Sequence, residues 1–427
     1  MKVFIMAGGK GTRVSSIAGD IPKSMIQICG KTILEYQIDC LKRNSLTDIT
    51  LIIGYLGHHI KEYFGDGSHS GCTLSYYTET EPLGTAGALF KMKDLPDDFI
   101  LLNGDIIFDV DFHRMIAFHK QNKAWASLAV HPNNHPFDST LIEINRDSQV
   151  KSWINKEDKR GFHKNLVNSG IHIISKELLA NCPQAKEKVD IDRDILKPSI
   201  SSGRIFAYQT PEYIRDMGTP ERITQVTSDI EKGIVRQKNL KNEQKCVFLD
   251  RDGTINKFNG FILKPEDMEL MDDAAEAIAE INDAGFLAIV ITNQPVIARG
   301  EVDFETLDLI HAKMETELGK RGAFIDAIFC CPHHPDRGFP GERPEYKIDC
   351  DCRKPKPGMI LSAAEKYNID LSRSYMVGDD MRDVKAGIAA GCIPVLLSKS
   401  TEETKITEGG KIVLRFSSLL EFVKTCL

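Results

Sequence analysis

The chain of 427 residues is long for a single domain, and its 42% hydrophobic content is enough to build more than one core. With 54 Lys and Arg against 61 Asp and Glu, the formal net charge is −7, which argues against nucleic acid or an anionic membrane as the main partner. The apolar runs are too short to cross a bilayer, and the N-terminus lacks a signal-peptide pattern. Eleven cysteines without export signals indicate thiols or metal ligands in the cytoplasm.

Short apolar runs alternate with amphipathic stretches, which predicts an α/β protein with mostly parallel sheets. The predicted strands form two series, Val3–Met6, Ile49–Ile53, Ile100–Leu102, Ala126–Val130 and Ile171–Ile174, then Cys246–Leu249, Leu287–Ile291, Ala327–Phe329, Tyr375–Val377 and Ile393–Leu397. The polar stretch Thr224–Lys245 between them is interpreted as a helix followed by a linker. We therefore expect two different α/β domains, 1–232 and 245–427, with a linker at 233–244. The segment 402–427 predicts a last strand and an amphipathic helix that packs on its own domain.

A glycine-rich loop follows the first predicted strand, with the sequence Ala7-Gly8-Gly9-Lys10-Gly11-Thr12-Arg13. Its glycines allow backbone N–H groups to turn toward a polyphosphate, and the two cations add positive charge. The spacing matches neither a Walker loop nor GxGxxG. Taken alone, the loop is also compatible with a tight turn between a strand and a helix.

Further motifs follow in order: Pro22-Lys23, Pro82-Leu83-Gly84-Thr85-Ala86-Gly87, Asn103-Gly104-Asp105, Asn168-Ser169-Gly170 and Asp216-Met217-Gly218-Thr219-Pro220-Glu221. In this order the set resembles the sugar-nucleotide pyrophosphorylases over roughly residues 1–232. The resemblance implies a Rossmann-like nucleotidyltransferase that joins an NTP to a sugar 1-phosphate and releases pyrophosphate. The form of Leu83–Gly87 resembles that of guanylyltransferases for mannose- and heptose-type sugars, which favours GTP.

The resemblance also implies the roles of individual residues in this domain. Mg²⁺ offsets the repulsion between the two polyanions, with Asp105 and Asp216 as its carboxylates. Arg13 and Lys23 would stabilise charge on the triphosphate. The nucleotide would be bound by Gly8, Gly9, Gly11, Thr12, Arg13, Lys23, Gly84, Thr85 and Gly104, and the sugar phosphate by Lys156, Asn168 and Gly170. Asn155 stands where the family usually has Glu, so a solvated surface lysine is the alternative for Lys156.

In the second half, the strand Val247–Leu249 leads into Asp250-Arg251-Asp252-Gly253-Thr254. Two carboxylates at a strand end are what an aspartyl-phosphate mechanism requires. Asp250 would attack phosphorus, and Asp252 would protonate the leaving alkoxide and then deprotonate water. Later strands end in Thr292-Asn293 and in Gly378-Asp379-Asp380, and Lys354 lies between them in the chain.

The order DxD, Thr, Lys and GDD resembles the haloacid dehalogenase superfamily across residues 245–400, which implies a Rossmannoid phosphomonoesterase. The implied Mg²⁺ ligands are Asp250, Asp379 and Asp252, the last through its backbone carbonyl. The implied substrate-binding residues are Thr292, Asn293, Arg353 and Lys354.

Two short motifs in the same half, Cys331-Pro332-His333-His334 and Cys350-Asp351-Cys352, predict a metal site. Three thiols and an imidazole at these spacings suit tetrahedral zinc. The assigned ligands are Cys331, His333, Cys350 and Cys352, with Cys330 and His334 as replacements for one of them and buried free cysteines as the alternative. The zinc would be structural, holding the loop 332–349 and directing Arg353 and Lys354 at the substrate.

With Thr292-Asn293-Gln294 and Ile297-Ala298-Arg299-Gly300, the second half resembles heptose 1,7-bisphosphate 7-phosphatases; histidinol-phosphate phosphatases share the zinc loop. The resemblances imply a bifunctional enzyme of GDP-D-glycero-D-manno-heptose biosynthesis. It would hydrolyse the 7-phosphate of the heptose bisphosphate, with the α anomer preferred, and transfer GMP from GTP to heptose 1-phosphate. Its partners would be these small molecules, and a homo-oligomer stays open. The alternatives are a mannose or glucose 1-phosphate nucleotidyltransferase fused to a histidinol-phosphate-type phosphatase, or a half that is a non-catalytic regulatory module.

Overall fold

The structure, a computed structural model, describes residues 1–9, 21–182, 187–398 and 405–427. The chain divides into two units. The first consists of Met1–His131, Ile142–Asn155 and Val167–Asn239, and the second of Pro132–Leu141, Lys156–Leu166 and Leu240–Leu427. In the described part of the chain, no helix combines the length and the apolar character needed to span a membrane.

The first unit is built on a mixed sheet with parallel strands at its centre. Its strands are β1 Lys2–Met6, β2 Gln27–Ile28, β3 Lys31–Thr32, β4 Asp48–Ile53, β5 Thr73–Thr78, β6 Asp98–Asn103, β7 Ile106–Asp109, β8 Ala126–His131, β9 Leu141–Ile144, β10 Val150–Ile154, β11 Val167–Ser175, β12 Ile205–Gln209 and β13 Tyr213–Asp216. The sheet order is β10-β9-β11-β6-β1-β4-β5, with β8 beside β11 and β12 beside β8. Strands β1, β4, β5 and β6 run parallel, and β11 runs antiparallel to β6.

The helices of this unit are α1 Ile33–Arg43, α2 Gly57–Phe64, α3 Gly87–Lys91, α4 Phe112–Gln121, α5 Lys176–Ala180, α6 Pro220–Glu231 and α7 Ile234–Gln237. Helix α1 begins with a capping box in which Thr32 and Glu35 bind each other's backbone N–H groups. Strand β1 pairs with β4 on one side and with β6 on the other. The order of the sheet therefore reverses at β1, and the carboxyl ends of such strands form a ligand crevice in open α/β sheets.

The second unit has a largely parallel sheet. Its strands are β14 Cys246–Leu249, β15 Leu287–Asn293, β16 Ala327–Cys331, β17 Tyr375–Gly378, β18 Ile393–Leu397, β19 Lys405–Glu408 and β20 Lys411–Phe416, in the order β16-β15-β14-β17-β18-β20-β19. Its helices are α8 Ala274–Asp283, α9 Phe304–Gly319, α10 Gly358–Tyr367, α11 Met381–Ala390 and α12 Leu419–Cys426. Here the order reverses at β14, which lies between β15 and β17.

Within the second unit, the segment 156–166 packs on helix α9. The backbone N–H of His163 donates to Thr316 Oγ1 (2.9 Å), which in turn donates to the carbonyl of His163 (3.1 Å). The N–H of Asn165 donates to Glu315 Oε2 (2.8 Å). Burial raises the pKa of Glu315 to about 7, although the hydrogen bond from Asn165 acts to lower it. These bonds pair backbone groups that the segment would otherwise leave unpaired in a buried place.

The predicted α/β class is confirmed, and every predicted strand is present with its ends moved by at most a few residues. The strands could be predicted from the sequence because their apolar runs are almost wholly buried, as in β14 and β15. The predicted last strand and helix are β20 and α12. The stretch 233–244 contains α7, and Val235 and Leu240 in it are buried.

Candidate active sites

A cavity of about 900 Å³ lies at the carboxyl ends of β1, β4 and β6 in the first unit. Among the predicted residues, its wall contains Gly8, Gly9, Lys23, Gly84, Thr85, Gly104, Asp105 and Asp216. Glycine is required at Gly84, where φ is +83° and a Cβ would overlap the carbonyl oxygen of Val189. The predicted residues Gly11, Thr12 and Arg13 lie outside the described residues.

The two predicted magnesium carboxylates, Asp105 and Asp216, both line this cavity. Strands β7 and β13 pair antiparallel with Asp216 opposite Ile106, which sets Asp216 beside Asp105. Lys23 Nζ donates to Asp105 Oδ2 (2.7 Å), and Arg222 Nη1 donates to both oxygens of Asp216 (2.6 and 2.8 Å). Both carboxylates are 40% exposed. This donor set fits Mg²⁺, which binds few carboxylates and completes its shell with water and phosphate oxygens. Arg222 was not identified from the sequence as the partner of Asp216, because no motif marks it.

The cavity also contains a carboxylate that the sequence did not single out. Oε1 of Glu79 is buried and has no hydrogen-bond partner among the residues that the structure describes. Burial raises the pKa of Glu79, and the Leu83 N–H and Lys91 act in the opposite direction. A buried acceptor without a partner calls for an explanation, and a ligand with donor groups would supply one. The sequence offers Glu79 and Glu81 two residues apart, with no signal for which is buried.

The predicted sugar-phosphate residues lie on two different parts of the chain. Asn168 and Gly170 are on β11, where Gly170 has φ +75° and packs so closely on Asn103 that a Cβ would overlap its amide. Asn168 Nδ2 lies 3.2 and 3.3 Å from the oxygens of Asp192. Lys156 is half-exposed, pairs with Glu157 at 3.7 Å, and belongs to a segment of the second unit.

In the second unit, Asp250 follows β14 and is held by Lys354. Lys354 Nζ lies 2.6 Å from Asp250 Oδ1 and 2.6 Å from Asp383 Oδ1, and its side chain is 3% exposed. Burial raises the pKa of Asp250 to about 6, against the effect of Lys354, which lowers it. Burial also acts to lower the pKa of Lys354, but the two carboxylates outweigh it and the pKa is raised. The lysine therefore stays charged and favours the anionic form that a nucleophilic carboxylate needs.

Asp252 is held by donor groups of three side chains. Arg251, which is fully buried, donates from Nη2 to both oxygens (2.8 and 3.0 Å). Gln294 Nε2 donates to Oδ2 (2.8 Å), and Asn256 Nδ2 donates to Oδ1 (3.1 Å). A general acid has to be held within reach of the leaving group. These hydrogen bonds fix the position of the Asp252 carboxylate, as that role requires.

Strand β15 ends in the predicted phosphate-binding pair. Thr292 Oγ1 accepts from Gln294 Nε2 (2.9 Å), which joins it to the Asp252 network. Asn293 Nδ2 donates to the carbonyl of Lys354 (3.0 Å), and the N–H of Lys354 donates to Asn293 Oδ1 (3.0 Å). This reciprocal pair joins the backbone of Lys354 to the end of β15 and so sets the position of its ammonium group.

Carboxylate oxygens of Asp250, Asp379 and Asp383 lie within 4.8 Å of one another and form a candidate magnesium site. Burial raises the pKa of Asp379 to about 6, and the charge of Asp250 adds to the rise. Gly253, with φ +86°, packs so closely that a Cβ would overlap the Asp379 carboxylate. Asp383 was not predicted, because in the sequence it is the ordinary third residue of a capping box that opens α11.

The four assigned zinc ligands come together: Cys331, His333, Cys350 and Cys352. The sulfur–sulfur distances are 3.1, 3.3 and 3.5 Å, and His333 Nδ1 lies 3.4 Å from Cys352 Sγ and 3.7 Å from Cys331 Sγ. These distances exceed the roughly 2.05 Å of a disulfide and approach the roughly 3.8 Å edge of a tetrahedron with 2.3 Å metal–sulfur bonds. The set fits zinc. His334 lies outside it, and its Nδ1 accepts from the Asp336 N–H (3.3 Å).

Two guanidinium groups lie near the zinc loop. Arg353 Nη1 donates to the carbonyl of His333 (3.0 Å), so the loop positions the predicted substrate-binding arginine. Arg299 lies between the rings of Phe261 and Phe339, at 4.7 and 4.4 Å from their centroids. Both contacts are within the range of a cation–π interaction and hold the guanidinium near the two rings.

The fold and the two sites define an enzyme with a nucleotidyltransferase domain and an aspartate-based phosphatase domain. A model of the nucleotidyl transferase family matches residues 2–233, more than half of the chain, and a HAD-hydrolase-like model matches residues 351–413. D-glycero-β-D-manno-heptose-1,7-bisphosphate 7-phosphatase of Escherichia coli K12 is 44% identical over 148 residues, which are 34% of this chain and 74% of that protein. The enzyme of the same name from Pasteurella multocida is 39% identical over 168 residues, 39% of this chain and 88% of that protein. The chain belongs to the nucleotidyl transferase family and, through its second half, to the family of these phosphatases.

Two solved structures are similar to one half each. The D,D-heptose 1,7-bisphosphate phosphatase of Bordetella bronchiseptica, complexed with magnesium and phosphate, is 33% identical and covers 43% of this chain and 97% of its own, with a TM-score of 0.36. HddC from Yersinia pseudotuberculosis is 27% identical and covers 54% of this chain and 99% of its own, with a TM-score of 0.47; it has also been crystallised with GMP-PN.

Proposed function

We propose that the chain catalyses two consecutive steps toward GDP-D-glycero-D-manno-heptose in the cytoplasm. The second domain hydrolyses the 7-phosphate of heptose 1,7-bisphosphate through an aspartyl-phosphate on Asp250. The first transfers GMP from GTP to the resulting heptose 1-phosphate and releases pyrophosphate. One observation carries the proposal: relatives of the second half remove the phosphate at C7. What remains is an anomeric sugar phosphate, the acceptor that a sugar nucleotidyltransferase requires.

The contacts of the phosphatase residues support the following roles. Lys354 keeps Asp250 anionic for in-line attack on phosphorus. Asp252, held by its three donor side chains, gives a proton to the leaving alkoxide and takes one from the hydrolytic water. Thr292 and the Lys354 ammonium would bind the phosphoryl oxygens. Mg²⁺ at Asp250, Asp379 and Asp383 would reduce repulsion between the nucleophile and the phosphate.

In the first domain, Asp105 and Asp216 would hold Mg²⁺ against the triphosphate, with Lys23 compensating its charge. Glu79 supports guanine as the base. Guanine offers two donors on one edge, N1–H and N2–H₂, which one carboxylate can accept together. Adenine has an acceptor at N1, and uracil has only one donor. A base that lacks this pair of donors would leave Glu79 Oε1 unpaired, and buried unpaired groups discriminate strongly.

The test is a coupled assay with Mg²⁺, each anomer of heptose 1,7-bisphosphate separately, and each NTP in turn. The phosphatase relatives are named for the β anomer, whereas the GDP route is expected to use α. We expect phosphate release followed by pyrophosphate release with GTP and the α anomer only. Phosphate without pyrophosphate for any NTP would refute the paired pathway and point to a different sugar phosphate, with mannose and glucose 1-phosphate as the next acceptors.

The assignment of guanine as the base is tested by a separate variant. Glu79→Gln keeps the size of the side chain but replaces one acceptor oxygen by an NH₂ group, so we expect kcat/KM for GTP to fall by about a hundredfold. Glu81→Gln is the matched control, since Glu81 lines the same cavity but is 64% exposed and pairs with Lys91 only at 3.9 Å. Equal effects of the two variants on GTP would remove Glu79 as the residue that selects the base.

A further inference from the structure

Strand β11 carries an irregularity beside the predicted sugar site. Its register with β8 shifts between Asn168 and His172. Such bulges redirect side chains and are frequent next to active sites. Here His172 Nε2 lies 3.2 Å from Asn168 Oδ1, although the two residues are four apart on one strand.

Both ends of the Asn168 amide are bound. Its Nδ2 lies 3.2 and 3.3 Å from the two oxygens of Asp192. Burial raises the pKa of Asp192 to about 7 and the charge of Asp190 adds to the rise, whereas the Asn168 hydrogen bond lowers it; in the ionised form that this bond favours, both oxygens can only accept. His172 is buried, and its burial lowers its pKa to about 4, so the ring is neutral at physiological pH. With Asn168 Oδ1 opposite, we assign the single ring proton to Nε2. Rotating the amide by 180° would set its oxygen against the carboxylate and its NH₂ group against a donor.

Asp192 belongs to a π-helical turn, Ile191–Leu196, that is joined to the nucleotide cavity. Thr85, which lines the cavity, accepts from the N–H of Ile191 (2.7 Å) and donates to Asp190 Oδ2 (3.2 Å). The turn that holds the amide of Asn168 is therefore fixed to the loop that borders the nucleotide. Rigid support of this kind is what a substrate-binding group requires.

We infer that Asp192 is a positioning residue that, together with His172, holds the Asn168 amide in one orientation, with its second Nδ2 proton as a fixed donor to an oxygen of the sugar 1-phosphate. The inference rests on the proposed transferase function and adds Asp192 and His172 to its sugar site. Asp192 acts through Asn168 and does not itself bind the substrate.

A double-mutant cycle tests this mechanism, because a residue that acts only through another has no further effect once that residue is gone. We expect Asn168→Ala and Asp192→Ala each to raise KM for the sugar 1-phosphate about tenfold, the value of one hydrogen bond. The double variant should also show about tenfold, whereas independent contributions would give about a hundredfold. KM for GTP and kcat should change less than about twofold, a split that general loss of structure would not produce.

Two further variants complete the test. Arg193→Ala is the matched control, since Arg193 is the next residue in the turn, is 71% exposed and pairs with Asp194. Asp192→Asn keeps an acceptor oxygen and should retain most of the affinity for the sugar 1-phosphate. This variant replaces Asp192→Ala if the alanine variant does not fold. The substrate is whichever of heptose, mannose and glucose 1-phosphate the wild type uses best, so a wrong sugar assignment leaves the cycle interpretable. Multiplying effects, or an Arg193 variant as impaired as Asp192→Ala, would overturn the inference.

Discussion

Replacing Lys354 with methionine removes one buried cation and leaves two carboxylates without their partner. Lys354 lies 2.6 Å from both Asp250 and Asp383, and the three side chains are 3%, 13% and 2% exposed. Methionine fills much of the aliphatic volume, so the main loss is electrostatic. Removing one partner of a buried ion pair costs about 3–5 kcal/mol, and we expect the free energy of unfolding of the second unit to fall by this amount at pH 8 without Mg²⁺.

The loss should depend on pH in a defined direction. With the lysine present, the pKa of Asp250 is already raised to about 6, above the value of an unfolded chain. Without the lysine it rises further. A raised carboxylate pKa destabilises the native state above that pKa, and the effect disappears as the group is protonated. The destabilisation should therefore shrink as the pH falls from 8 to 5, and Mg²⁺ should also reduce it.

The measurement is native-state hydrogen exchange of the β14 and β17 amides at pH 8 and pH 5, with the rates corrected for intrinsic exchange. This method reports on the second unit by itself, which matters because a chain with two units need not unfold in one step. Lys356→Met is the matched control: this lysine pairs with Asp349 at 2.8 Å, but the side chains are 40% and 77% exposed, so the loss should be far smaller than for Lys354→Met. Equal losses for the two variants, or the same loss at pH 8 and pH 5, would refute the electrostatic explanation.

Three other perturbations separate the sites. Asp105→Asn should lower nucleotidyl transfer by at least about a hundredfold and leave phosphate release from the bisphosphate unchanged, in assays of both products on one preparation. Cys350→Ser should reduce bound zinc, measured by mass spectrometry, from about one atom per chain, whereas Cys29→Ser, at an exposed cysteine of the first unit, should not. Gly170→Ala should raise KM for the sugar 1-phosphate, because a Cβ at φ +75° would overlap the Asn103 amide; an unchanged KM would show that β11 adjusts freely.

The strands and the strand-end motifs were readable from the sequence because each signal is local. A buried run ending in Asp250 or Asp379 carries both its strand and its carboxylate in one short stretch. The missed residues depend on tertiary contacts. Asp383 has the sequence signature of a helix cap, and it joins the candidate magnesium site only because β14 and β17 are neighbours. Glu79 and Asp192 are set apart by what they face, a cavity and the Asn168 amide, and both are supplied by distant parts of the chain, which no spacing encodes.

The grouping of 132–141 and 156–166 with the second unit has a consequence for biosynthesis and for protein engineering. Asn165 leaves the ribosome 150 residues before its partner Glu315, so this part of the second unit is completed late and through a long-range contact. A gene divided at 233–244 would encode a C-terminal product lacking both segments. Its helix α9 would then expose Glu315 and Thr316 without the backbone groups they now bind. We therefore expect a phosphatase expressed separately to be less stable than the same unit in the full chain, unless a substitute for residues 156–166 is grafted onto α9.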